Sequence, residues 1–260
     1  MTEAKTEKEF WEHFWKNTAL PCRINPSFSN DRVIAETLKR WIPAGDGERV
    51  ALEVGCAPGK WMVYLAEDLG YVPAGCEYVE SAVRTTEKNL ELCCIPNARV
   101  YHGDFLTMDF EGRTFDLILS LGFIEHFSNP EDVIRRKLSL LNDGGYLAIG
   151  IPKFTGLNYH LARIVDETLD RKLLPAHNLA IMDRDYFCSL PRTLPLAPVF
   201  IDTIGGFEPA LFDISRTPLW FKGVFHAFSA GLANPIVRCL NLGWCSGYIM
   251  AIYRKDGALP

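Results

Sequence analysis

The residues best suited to chemistry in this chain gather around a tight turn of small side chains. Glu53, Gly55, Cys56, Ala57 and Gly59 fall in the run Ala51-Leu52-Glu53-Val54-Gly55-Cys56-Ala57-Pro58-Gly59-Lys60-Trp61. Such a turn lets a ligand approach the main chain, and the N–H groups opening the next helix can serve its polar atoms. Further on, Glu77 and Tyr78 close the segment Gly75-Cys76-Glu77-Tyr78. A carboxylate at a strand end can accept hydrogen bonds from both hydroxyls of a ribose. Gly103-Asp104-Phe105 adds an acid able to accept from an adenine amino group and a ring able to lie flat against a base. Taken alone these features suit any nucleoside-bearing ligand, dinucleotides included. The G-x-G-x-x-G pattern of dinucleotide binders is absent, however.

Three histidines are candidates for acid–base work or substrate contact. His126 follows the fourth strand, at the edge where ligands of open α/β sheets bind, and is the candidate base. His160 and His177 lie in the following region and are candidate substrate ligands. No metal site is expected: the eight cysteines contain no C-x-x-C, and Cys93 and Cys94 are adjacent. They read as reduced thiols.

The elements that must position these groups alternate between apolar strands and amphipathic helices, the signature of a mostly parallel sheet covered by helices. A helix is expected over Asp31 to Trp41, a strand over Val50 to Val54, and a helix over Lys60 to Leu69. A strand near Ala74 to Tyr78 precedes a helix from Ser81 to Leu92, then strands at Ala98 to His102 and Phe115 to Ser120. Asn129 and Pro130 form a helix start. Asn142-Asp143-Gly144-Gly145 reads as a turn before a strand from Tyr146 to Ile151. Beyond Pro152 the pattern loosens to helices at Thr155 to Leu174 and Asp183 to Leu190 and strands at Pro198 to Ile204 and Gly247 to Tyr253. The span from Gly205 to Ser246 reads as a lid or binding insertion.

These motifs, in this order, resemble the class I S-adenosylmethionine-dependent methyltransferases of the small-molecule branch. E-V-G-C-A-P-G looks like their first motif and Glu77 like their ribose-binding acid. Gly103-Asp104-Phe105 looks like their adenine-site motif. F-D-L-I-L-S-L-G-F-I-E-H-F and L-N-D-G-G-Y-L-A-I-G-I-P look like their fourth- and fifth-strand motifs. The resemblance covers about Val50 to Pro152. Ala57-Pro58 departs from it, replacing the more usual Gly-Thr or Gly-Ser. The resemblance implies an α/β, Rossmann-like, seven-stranded, mostly parallel sheet with helices on both faces, its last strand antiparallel and a helical insertion before it. One domain would span 1–260, with a cofactor-binding core at 50–152 and substrate or lid elements at 153–197 and 205–246. It also implies S-adenosylmethionine as cofactor, S-adenosylhomocysteine as product, and Ser120 and Leu121 lining the cofactor. Glu53 would face the cofactor's amino group or order the loop. Trp11 and Trp15, at helical spacing, would close over it or simply pack.

Composition bounds the partners. The chain has 260 residues, 48% of them hydrophobic, and a net charge of −5 without a long run of like charge. That disfavours a general nucleic-acid binder, which needs a basic face, so a small-molecule acceptor is the leading expectation. An RNA or protein methyltransferase and a non-catalytic cofactor-binding protein are the alternatives. No segment has the roughly 18 to 20 apolar residues of a membrane span. The polar Met1 to Lys8 is not a signal peptide, so a cytoplasmic location is expected. Phe221, Phe225 and Phe228 share one helical face that would suit a membrane surface, although core or lid packing is the expected role of that aromatic cluster.

Overall fold

The sheet is built from β1 (Val50–Val54), β2 (Val72–Glu77), β3 (Arg99–His102), β4 (Phe115–Leu121), β5 (Leu141–Pro152), β6 (Leu196–Ile204) and β7 (Tyr248–Lys255). The helices are α1 (Lys8–Trp15), α2 (Ser29–Trp41), α3 (Lys60–Glu67), α4 (Glu80–Leu92), α5 (Pro130–Leu140), α6 (Leu157–Leu169), α7 (Arg184–Ser189) and α8 (Leu219–Phe228). This computed structural model describes residues 3–15, 18–26, 29–169, 173–206, 212, 218–228 and 246–257. Most of the expected 205–246 insertion, with the side chains of Phe221 and Phe225, therefore lies outside the described residues.

Strand order is β3-β2-β1-β4-β5-β7-β6. The first five strands are parallel, and β7 runs antiparallel between β5 and β6. The order reverses between β1 and β4, which opens a crevice at their carboxyl ends. The strands are apolar on both faces because helices cover both. In β4, Leu117 and Leu119 pack toward α2 and α3 with Ala51, Leu65 and Met250. Ile118 packs on the other face with Leu52, Val133, Ile134 and Leu147.

Local chemistry sets the boundaries. Pro130 takes the first turn of α5, followed by Glu131 and Asp132 at the positive end of the helix. Asn129 does not cap through its side chain; its Nδ2 donates to Asp132 Oδ2 at 2.8 Å. The expected turn at 142–145 is a register irregularity inside the longer β5, where pairing jumps from Phe115↔Leu141 to Leu117↔Tyr146. Asp183 caps α7 by accepting from the amide of Asp185 at 2.8 Å. Among the described residues no helix is long and apolar enough to cross a membrane.

Candidate active site

The crevice between β1 and β4 holds a cavity of about 690 Å³, within the range typical of small-molecule sites. Its floor is the turn after β1. Gly55 (φ 76°) and Gly59 (φ 88°) adopt left-handed backbone that disfavours any other residue. Gly55, Ala57 and Pro58 line the cavity, as do Glu53, Lys60 and Trp61. Lys60 Nζ is held by Asp31 Oδ1 of α2 at 2.7 Å.

Two acids at this floor differ in their partners. Glu77, at the end of β2, is 6% exposed. Its Oε1 accepts from the amides of Tyr78 (2.9 Å) and Val79 (3.0 Å) as the chain turns into α4. Burial raises its pKa, against the lowering effect of those backbone amides. Glu53 is buried, with Oε2 lacking a hydrogen-bond partner among the described residues. Burial pushes its carboxyl well above the usual range, opposed by the Lys60 charge. A buried acceptor without a donor is costly, so Glu53 Oε2 marks where a donor from a ligand would fit.

At the end of β3, Asp104 is exposed at the cavity rim and its Oδ1 accepts from the amide of Leu106 at 2.9 Å. Phe105 is buried beneath, edge-on to Phe110 and Phe123. Leu121 and the Gly122-Phe123 turn complete the wall after β4.

The N-terminal segment forms a roof. Ala4 bridges Phe127, Lys5 N–H donates to His126 O at 2.7 Å, and Ser128 N–H donates to Glu3 O at 2.9 Å. This pairing sets α1 over the cavity, where Trp11, Trp15, Thr6, Lys8 and Tyr78 line it. Cys22, another lining residue, is tied to α4 by a reciprocal pair: its N–H donates to Asn89 Oδ1 (2.6 Å) and its carbonyl accepts from Asn89 Nδ2 (2.8 Å).

Of the sequence-derived candidates, Glu53, Gly55, Ala57, Glu77, Tyr78, Asp104, Phe105, Leu121 and His126 come together around one cavity. Cys56, Gly59 and Ser120 are not among its lining residues. The Cys56 thiol is buried with Met62, Val63, Leu90 and Cys93. Gly59 abuts α4, where a Cβ would lie 3.0 Å from Thr86 Cγ2. Ser120 is enclosed in the sheet, its hydroxyl unpartnered among the described residues. His160, the other candidate substrate ligand, is exposed against Tyr159 and is not among the cavity's lining residues. His177 does not line the cavity either; it packs on His126, ring centroids 4.7 Å apart.

His126, the candidate base, lines the cavity with one ring nitrogen engaged. Its Nδ1 lies 2.8 Å from the carbonyl of Ala176. A carbonyl only accepts, so Nδ1 carries the proton and Nε2 bears the lone pair. Burial, reinforced by His177, lowers its pKa to about 3, which makes a neutral, weakly basic ring. Sequence reasoning passed over its neighbour Glu125. That acid is fully buried, both carboxylate oxygens lack hydrogen-bond partners among the described residues, and burial pushes its pKa up to about 8. The amides of Glu125 itself and Phe123 favour its charge without reaching hydrogen-bond geometry. The side chains of Glu125, His126 and His177 converge, with one nitrogen or oxygen atom of each within 4.8 Å of the others. The roof residues Ala4, Thr6 and Lys8 were missed as well, because strand-like pairing between distant segments leaves no local pattern.

Residues 51–145 match the family model described as a methyltransferase domain. No curated protein matches the sequence. Among solved structures, a methyltransferase from Thiobacillus denitrificans in complex with S-adenosyl-L-homocysteine superposes with a TM-score of 0.57 at 15% identity, covering 95% of this chain and 98% of that one. Coclaurine N-methyltransferase, bound to N-methylheliamine and S-adenosylhomocysteine, gives 0.58 at 17% identity over 85% and 72% of the two chains. Geranyl diphosphate methyltransferase, in complex with geranyl diphosphate and sinefungin, gives 0.58 at 15% over 85% and 76%. At these identities the likeness is one of fold.

Proposed function

We propose, from the match of residues 51–145 to a methyltransferase-domain family model, that this chain transfers a methyl group from S-adenosylmethionine to a small-molecule acceptor. One observation carries the reading: Glu77, the Gly55 turn, Asp104 and Phe105, brought from three strand ends, share a single cavity. Glu77 is suited to the ribose hydroxyls, because its charge is already supported by two backbone amides. Asp104 and Phe105 suit the adenine amino group and ring. Glu53, with its orphaned Oε2, suits the ammonium of the amino-acid tail, the complementary donor that a buried acceptor requires.

The donor supplies an activated methyl on a sulfonium, whose leaving group is a neutral thioether. The acceptor's lone pair forms the new bond to the methyl carbon as the carbon–sulfur pair returns to sulfur. The protein's work is to hold the acceptor in line and exclude water. The aromatic roof of Trp11 and Trp15 and the wall of Phe123 and Phe127 suit that task. With His126 a weak base, the acceptor lone pair is available either from a neutral nucleophile or from one deprotonated by other means. The net charge of −5 and the aromatic lining of the cavity favour a small acceptor over RNA.

Thermal denaturation tests the reading. S-adenosylhomocysteine is expected to raise the melting temperature, and Glu77→Ala to reduce that shift. A shift produced by NADH in place of S-adenosylhomocysteine would overturn the assignment.

A further inference from the structure

We propose that Glu125, His126 and His177 form a binding site for one divalent transition-metal ion at the wall of the cavity. One donor atom from each residue lies within 4.8 Å of the others, and Glu125 Oε1 lies 3.9 Å from His126 Nε2. Metal–ligand bonds of about 2.0–2.2 Å put neighbouring donors about 3–3.5 Å apart, so small side-chain rotations close the set on an ion.

The hydrogen bonds around the cluster prepare it for a cation. His126 Nδ1 donates to Ala176 O at 2.8 Å, and His177 Nδ1 donates to Leu173 O at 2.5 Å. Both imidazoles are thereby fixed in the tautomer that leaves Nε2 free as a donor atom. Backbone carbonyls holding the far nitrogen are the usual outer support of metal-bound histidine. The two segments are also clamped together: Asn178 N–H donates to Glu125 O (2.6 Å) and Asn178 Nδ2 donates to Phe127 O (3.1 Å). Asp166 fixes the His177 segment by accepting from the amides of Leu173 (2.8 Å) and Leu174 (2.9 Å).

The carboxylate supplies the second, independent observation. Glu125 has no exposed surface, and neither of its oxygens has a hydrogen-bond partner among the described residues. An unsatisfied buried acid is expensive, and a coordinated cation removes the expense. The nearby cation, Lys137, lies over the rings of Phe123 (4.5 Å) and Phe105 (4.8 Å) and makes no salt bridge to Glu125. Two imidazoles and one carboxylate suit zinc, cobalt(II), manganese(II) or iron(II), and leave coordination positions open. His126 belongs to both the cluster and the cavity lining, so the ion borders the space proposed for the acceptor.

The test uses the full, untagged chain stripped with chelator and titrated with cobalt(II), then zinc. Wild type is expected to bind one equivalent, with visible d–d bands and no thiolate charge-transfer band, and zinc should displace the cobalt. Glu125→Gln and His177→Asn should weaken binding at least tenfold. His177→Asn should keep the melting shift given by S-adenosylhomocysteine, which separates this site from the cofactor reading. No uptake by wild type, a thiolate spectrum, or equal uptake by wild type and His177→Asn would overturn the proposal.

Discussion

The end of β2 and the turn after β4 each bury a glutamate, and they treat it in opposite ways. Glu77 Oε1 receives two amide hydrogen bonds from the start of α4. Its charge is supported before any ligand arrives, so it is fit to accept from neutral hydroxyls. Glu125 is more deeply buried and receives none within hydrogen-bond geometry. It faces two imidazoles with free Nε2 atoms and needs a positive partner. Similar residues near two strand ends are thus suited to different ligands, a neutral hydroxyl in one place and a cation in the other, according to what the backbone provides.

The sharpest way to break this contrast is Glu77→Ala. Hydrogen bonds to a charged group contribute about 1.5–3 kcal/mol each, so losing two ribose contacts should weaken S-adenosylhomocysteine binding by about 100-fold or more. Cobalt uptake should be unaffected. Calorimetry on the variant with each ligand measures both.

Trp11→Ala probes the roof shared by both turns, since Trp11 lines the cavity and meets the His126 ring edge-on at 5.1 Å. Removing an aromatic contact of this kind costs about 0.5–1.5 kcal/mol beyond its area burial. S-adenosylhomocysteine binding should weaken by about tenfold, while cobalt affinity stays within about twofold. A larger effect on cobalt than on nucleoside would break the separation of the two regions.

Thiol labelling gives a smaller signal. Among the described cysteines, Cys94 and Cys188 are exposed and should react first, whereas burial pushes the Cys76 thiol up to about 12 and protects it. Cys22 lines the cavity and is half-buried. Its labelling rate, followed by mass spectrometry, should fall several-fold with S-adenosylhomocysteine and stay unchanged with cobalt.

The smallest expected change is in Lys137→Met. If an ion balances Glu125, removing this buried ammonium should move the melting temperature of the metal-loaded protein by only a few degrees. If Lys137 is the sole partner of Glu125, breaking the pair should cost about 3–5 kcal/mol, seen as a large drop in the thermal midpoint.

What could be read from the sequence follows the same division. The stretch from Val50 to the start of α5 was legible because each device there is local: a small-residue turn between strand and helix, an acid closing β2, a proline opening α5. The strand boundaries around Glu77 and Asp104 agree to within about two residues, the usual scatter of such assignments. The metal-ligand cluster was not legible. Its parts come from a turn after β4 and a loop after α6, joined by contacts such as His126–Ala176 fifty positions apart. The roof was hidden for the same reason, since the Ala4–Phe127 bridge has no periodic pattern on either side. The sequence did not show which way His160 faces, because a histidine in such a segment looks the same whether its side chain turns inward or, as here, out to solvent.

The account depends on a nucleoside held across the carboxyl ends of β1, β2 and β3. Isothermal calorimetry with S-adenosylhomocysteine tests this most directly. The prediction is one site per chain, lost or greatly weakened in Glu77→Ala. Absence of heat with both S-adenosylhomocysteine and S-adenosylmethionine on well-folded wild-type protein would contradict it.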